Sequence, residues 1–138
     1  MFKTIVVGYD GTDRAMRAVQ EASNIAEMSG GTMHVVTAVP KDEVHDFGDG
    51  SDRRVMSDVE IANDRLDRVA DDFRHLRVST AAVEGGPARV LINEARSLDA
   101  DVIVVGNKNV QGVARVFGSV AEDVAHRAPC AVLIAKTG

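Results

Sequence analysis

Several residue types are scarce in this sequence, and their scarcity limits the possible functions. The 138 residues include no tryptophan, one tyrosine and one cysteine, Cys130. A single thiol excludes a disulfide framework and is compatible with a reducing compartment. Aromatic residues make up 4% of the chain, and 16 scattered basic residues are outnumbered by 21 acidic ones. Because a nucleic-acid groove needs a basic face and stacking rings, we expect no nucleic-acid partner.

Long apolar runs are also missing. No run reaches the roughly 18 residues that a membrane span requires. The N-terminal stretch MFKTIVVGYD lacks the charged start, longer apolar core and cleavage site of a signal peptide. We therefore expect a cytoplasmic protein without membrane association. A length of 138 residues with 45% hydrophobic residues predicts one domain, spanning residues 1–138, with its own core.

Familiar catalytic and binding motifs are absent as well. The chain contains neither G-x-x-x-x-G-K-[ST] nor G-x-G-x-x-G, which argues against a P-loop NTPase and a dinucleotide dehydrogenase. The four histidines lack metal-ligand spacing, so no metal site is predicted. A phosphorelay receiver would need an aspartate after the third strand, where Glu84 and Gly85 stand. No catalytic residue is assigned.

Five apolar segments rich in β-branched residues predict strands. They are residues 4–8, 33–39, 77–83, 101–106 and 130–135. Their apolar residues are continuous rather than alternating, which is typical of parallel strands buried on both faces. The third segment is the most polar, so we expect it near an edge of the sheet.

Four helices are predicted between the strands, because apolar residues recur there every three to four positions. In the second of these predicted helices, the apolar residues run from Val55 to Phe73. Residues suited to helix starts precede or open the four stripes: Thr12-Asp13, Ser51 or Asp52, Pro87 and Gly118-Ser119. The acidic segment 40–52 lacks a pattern and is predicted to be a loop.

This alternation predicts an α/β fold, a three-layer, doubly wound, five-stranded parallel sheet with helices on both faces. Two strand orders, 2-1-3-4-5 and 3-2-1-4-5, are common for such a sheet. Ligands bind beyond the carboxyl ends of the strands, where the order reverses. We favour 3-2-1-4-5, because it places the glycine-containing loop after strand four beside the loop after strand one.

The loop after strand four, VVGNKNVQGVARVFGSV, has the chemistry of an anion site. Gly118, Ser119 and Val120 would present backbone N–H groups at a helix start, which carries about half a positive charge. Asp10, after strand one, would repel a phosphate but suits a ribose hydroxyl or a metal ion. Taken alone, the same residues also fit an ordinary helix cap and turn.

Four stretches together carry a family resemblance. They are IVVGYDGTDRAMRAV, HVV at 34–36, EGGPARVLINEARSLDADVIVVGNK and GSVAEDVAHRAPCAVLIAK. On the basis of these stretches the sequence resembles the single-domain universal stress proteins, and the likeness extends over nearly the whole chain. The resemblance implies the 3-2-1-4-5 sheet and a homodimer that forms through the last strand, about residues 130–136.

The resemblance to the ATP-binding branch of that family also implies a ligand and its contacts. The ligand would be ATP, with Mg²⁺ as a possible companion, and Val35 would line the adenine pocket. Matched by position, the predicted contacts are Gly8, Tyr9, Asp10, Val35, Val105, Gly106, Asn109, Gly118, Ser119 and Val120.

One position departs from the family pattern. Where the branch has the second glycine of G-x-x-G, this chain has Asn109. Asparagine tolerates a left-handed backbone, but its side chain would stand where a phosphate passes. Two alternatives therefore stay open, namely a cyclic-nucleotide binder and a nucleotide-free dimeric interaction protein. An enzymatic role is limited to a slow ATPase, with Asp10 as the candidate base.

Overall fold

The computed structural model describes residues 2–40, 44–46, 55–106 and 119–136. The elements, in chain order, are β1 Thr4–Gly8, α1 Asp13–Ser29, β2 Thr32–Val39, β3 Val44–Asp46, β4 Val55–Ser57, α2 Asp58–Asp72, β5 Arg77–Glu84, α3 Pro87–Leu98, β6 Val102–Gly106, α4 Ser119–Arg127 and β7 Ala131–Ala135. None of the helices in these ranges is both long and apolar enough to cross a membrane.

Five strands form one parallel sheet in the order β5-β2-β1-β6-β7. Counted along the chain without the short β3 and β4, this is the order 3-2-1-4-5, so the predicted α/β fold is confirmed. The polar strand β5 lies at one edge, as its composition indicates, and β7 lies at the other. The strand order reverses between β1 and β6, which places a ligand crevice beyond their carboxyl ends.

The start of α2 differs from its predicted position. Val55 lies in β4, which pairs with β3 in an antiparallel hairpin, and the helix begins at Asp58. Ser57 and Glu60 form a reciprocal capping box, in which the Ser57 hydroxyl accepts from the Glu60 N–H at 3.1 Å. This pair satisfies free N–H groups at the helix start, which explains why the helix begins here rather than near Ser51 or Asp52.

Two apolar cores cover the faces of the sheet. On one face, Ile5 and Val7 pack with residues of α1 and α2, including Val19 and Leu66. On the other face, Val6, Val36 and Ile103 join a second cluster with residues of α3 and α4. Because neighbouring strand residues point to opposite faces, each central strand contributes to both cores.

Asp101 fastens the entry of β1 to the entry of β6. Its carboxylate accepts hydrogen bonds from the Lys3 N–H at 2.8 Å and the Thr4 N–H at 2.9 Å. The Asp101 N–H in turn donates to the Thr4 carbonyl at 2.9 Å. The hydrogen bonds from the Thr4 and Lys3 amides hold the pKa of the Asp101 carboxyl below its usual value.

His34 is a buried polar residue whose ring joins three elements. Its Nε2 lies 2.9 Å from Oε1 of Glu94 on α3, and its Nδ1 contacts the Ser79 hydroxyl on β5. Both ring nitrogens of His34 therefore have a hydrogen-bond partner. The three residues lie outside the cavity described below. We therefore interpret this cluster as a structural link between β2, β5 and α3.

Candidate functional site

A cavity of about 280 Å³ lies at the carboxyl ends of β1, β2 and β6. This is close to the lower end of the roughly 300–1,000 Å³ typical of small-molecule sites. Strand ends supply part of its lining, namely Gly8, Val36, Ala38, Val105 and Gly106. The cavity therefore occupies the point where the strand order reverses, the position at which doubly wound sheets bind ligands.

The first turns of three helices border the same cavity. Arg14 and Ala15 come from α1, Pro87 from α3 and Val120 from α4. The N-terminal end of a helix carries free N–H groups and a partial positive charge. Three such ends around one cavity favour a ligand with a negatively charged group.

The loop after β1 is held in place by the end of β2. The Tyr9 N–H donates to the Val36 carbonyl at 2.9 Å. The buried Thr37 hydroxyl donates to the Tyr9 carbonyl at 2.7 Å. Both backbone groups of Tyr9 are thus bonded to β2, so the position of the loop relative to the sheet is fixed.

Asp10 organises the turn that leads into α1. Its Oδ1 accepts from the Thr12 N–H at 3.0 Å and from the Thr12 hydroxyl at 2.6 Å. The same hydroxyl caps α1 by accepting from the Ala15 N–H at 3.1 Å. Gly11, with φ of 88°, provides the left-handed backbone that this turn requires. The turn uses Oδ1, so Oδ2 of Asp10 is not engaged in it.

The walls and charges of the cavity define the ligand chemistry that it can accept. Val36, Leu91 and Val105 provide buried apolar surface, which suits a flat, uncharged ring system. Asp10 and Arg14 are the charged residues among the described lining residues. Within the described ranges no group of three or more His, Cys, Asp or Glu side chains could hold a metal ion. The cavity therefore suits a small organic ligand with an apolar part and an anionic part.

Comparison with known proteins identifies the family. A model of the universal stress protein family matches residues 1–136. The chain belongs to the universal stress protein family. A universal stress protein of Mycobacterium tuberculosis strain H37Rv is 34% identical over 143 residues, covering 99% of this chain and 97% of that protein.

Two solved universal stress proteins resemble this one in structure. One, described in complex with cAMP, has a TM-score of 0.76 and 29% identity and covers 99% of this chain and 98% of its own. The other, from Archaeoglobus fulgidus in complex with dAMP, has a TM-score of 0.70 and 26% identity. It covers 96% of this chain and 97% of its own.

The residues that the sequence singles out in this universal stress protein lie mostly around the cavity. Six of them line it together: Gly8, Tyr9, Asp10, Val105, Gly106 and Val120. Ser119 is the first residue of α4, directly before Val120. Asn109 and Gly118 lie outside the described residues.

Val35 does not line the cavity. Its side chain is fully buried in the core on the α1 and α2 face of the sheet. Its neighbour Val36 lines the cavity instead. Because adjacent strand residues point to opposite faces, the predicted position is displaced by one residue with respect to this cavity.

Part of the lining is not predicted from the sequence. The missed residues are Thr12, Arg14, Ala15, Val36, Ala38, Pro87 and Leu91. Arg14 and Ala15 of α1 directly follow the predicted loop GYDGTD. Because α1 starts at the edge of the sheet where the ligand is expected, its first residues could have been included in the predicted site. Pro87 and Leu91 belong to α3, and only the packing of that helix against the second core brings them to the site.

Proposed function

We propose that this universal stress protein binds an adenine nucleotide in the cavity between the ends of β1 and β6. The observation that carries the proposal is the position of an apolar-walled cavity where three helix N-termini meet at the switch point of the sheet. The complexes of two related structures with cAMP and dAMP support an adenine ligand.

The cavity suggests an orientation for the nucleotide. The base would pack between the apolar side chains of Val36, Leu91 and Val105. A ribose hydroxyl would donate to Oδ2 of Asp10, because the hydrogen bonds of the Asp10–Thr12 turn go to Oδ1. The phosphate would then face the start of α4 at Ser119 and Val120, where a helix N-terminus favours negative charge.

ATP is the first candidate, because the sequence resembles the ATP-binding branch of the family. Cyclic AMP is the second, and two observations favour it. A similar structure is described in complex with cAMP, and Asn109 stands where that branch has a glycine. We propose binding rather than turnover, because Oδ1 of Asp10, the candidate base, accepts two hydrogen bonds in the turn and its Oδ2 would accept one from the ribose in this orientation.

Isothermal titration of the purified protein with ATP and Mg²⁺, and separately with cyclic AMP, tests the proposal. We expect saturable binding of at least one of them at millimolar concentration or below. Absorbance near 260 nm after denaturation would detect nucleotide that co-purifies, because a chain without tryptophan and with one tyrosine absorbs little there. If there is no heat change, no thermal shift and no released nucleotide, the proposed nucleotide binding is wrong. The alternative of a nucleotide-free dimeric interaction protein would then be favoured.

We also propose a homodimer that pairs through β7. This strand forms an edge of the sheet, and its Leu133 side chain is 37% exposed. An exposed edge strand with apolar side chains favours association with another chain. Light scattering coupled to size-exclusion chromatography should give the molar mass of a dimer for the natural chain and that of a monomer for Leu133→Lys. The control is Leu98→Lys, which changes a similarly exposed leucine at the end of α3 and should leave a dimer.

A further inference from the structure

Arg14 is the feature of the cavity that neither the sequence pattern nor the family assignment explains. It lies in the first turn of α1, is half-buried and lines the cavity. Among the described lining residues, Arg14 is the basic one and Asp10 is the acidic one. A guanidinium keeps its charge at every relevant pH and carries five N–H donors.

The position of Arg14 is locally unfavourable for a cation. The macrodipole of a helix favours negative side chains in the first turn and disfavours positive ones. Asp13, its neighbour, satisfies that preference, whereas Arg14 does not. A residue that departs from a local rule and faces a cavity is a candidate for ligand contact.

The backbone that carries Arg14 is firmly placed. The Thr12 side chain caps α1, and the Met16 N–H donates to the Thr12 carbonyl at 3.0 Å. Tyr9, in the loop that leads into α1, is bonded to β2. Arg14 therefore lines the cavity from a fixed backbone position, and Val120 at the start of α4 lines the same cavity.

We propose that Arg14 donates hydrogen bonds to a phosphate oxygen of the bound nucleotide and makes the site select nucleotides over adenosine. This inference rests on the proposed function. A phosphate that reaches the start of α4 would be met from the α1 side by the guanidinium, whose geometry matches phosphate oxygens.

The test compares ligands that differ in phosphate. Dissociation constants for adenosine, AMP, cyclic AMP and ATP are measured for the natural protein and for Arg14→Gln. Loss of a charged hydrogen bond should weaken the phosphate-bearing ligands by about tenfold or more. Adenosine affinity should stay within about twofold. The preference for AMP over adenosine should also fall less steeply with salt in the variant, because one ionic contact is gone.

Two further variants make the test specific. Arg17→Gln removes an exposed arginine one turn further along α1 that does not line the cavity, and it should leave every affinity unchanged. Arg14→Lys keeps the positive charge but lacks the planar guanidinium with its paired N–H donors, so it should cause an intermediate loss of affinity for the phosphate-bearing ligands. Thermal unfolding checks each variant, and if Arg14→Gln does not fold, Arg14→Lys together with the salt dependence of the natural protein decides.

The outcomes separate this inference from the proposed function. Unchanged AMP and ATP affinity in Arg14→Gln, or an equal loss for adenosine, would overturn the role of Arg14 while nucleotide binding stands. If the natural protein binds no adenine nucleotide, both fall together. A selective loss for phosphate-bearing ligands supports the inference.

Discussion

Gly8→Val is expected to weaken adenine-nucleotide binding by at least about 100-fold, equivalent to roughly 2.7 kcal/mol. A Cβ at Gly8 would lie 3.1 Å from Cδ1 and 3.4 Å from Cδ2 of Leu91. Both residues line the cavity, so a valine side chain would fill space beside the apolar wall proposed for the base. Gly8→Ala should have a smaller effect, because the flexible Leu91 side chain can move by a few tenths of an ångström.

Titration calorimetry measures this effect, and thermal unfolding shows whether the variant is folded. Ser97→Val is the control, since it also introduces a valine, at an exposed position in the last turn of α3 that does not line the cavity. It should bind nucleotide as the natural protein does. A folded Gly8→Val protein with natural affinity would show that the nucleotide binds outside this cavity.

Gly31→Ala is expected to destabilise the fold by at least about 2 kcal/mol, as overpacking of a buried site does. An added Cβ would lie 2.5 Å from the Lys3 carbonyl oxygen and 3.0 Å from that of Phe2. These are backbone atoms at the entry of β1, which Asp101 also holds, so no side chain can move aside. The midpoint of thermal unfolding should fall by roughly 8 °C or more.

Gly30→Ala provides the comparison at the adjacent residue. Gly30 has φ of 68° and no atom within 4 Å of an added Cβ. Its substitution adds left-handed backbone strain of about 1 kcal/mol without a clash. Differential scanning calorimetry should therefore rank Gly31→Ala as the less stable variant. A Gly31→Ala protein that melts within about 2 °C of the natural chain would contradict the steric argument.

The sequence predicts the sheet well because its strands are continuous apolar runs. Segments such as 4–8 and 101–106 have the continuous apolar character that is typical of strands buried on both faces of a parallel sheet. The polar third strand could be assigned to an edge for the same reason. Placing two polar loops at one switch point favours the order 3-2-1-4-5, and this strand order is confirmed.

Other features depend on information that periodicity does not contain. Val35 and Val36 are chemically identical neighbours, and only the pairing of β2 with β1 determines which face each one takes. The start of α2 depends on a capping box at Ser57 and Glu60, which overrides the apolar stripe that extends back to Val55. Leu91 reaches the cavity through helix packing, which no local sequence pattern reports.

The attachment of Tyr9 to β2 has a consequence for how a ligand is received. Its N–H and its carbonyl are both bonded to β2, and the Asp10–Thr12 turn continues directly into a capped helix. This side of the cavity is thus preorganised before any ligand arrives. A ligand that enters loses little binding free energy to ordering the loop, and its contacts with that loop translate more fully into affinity.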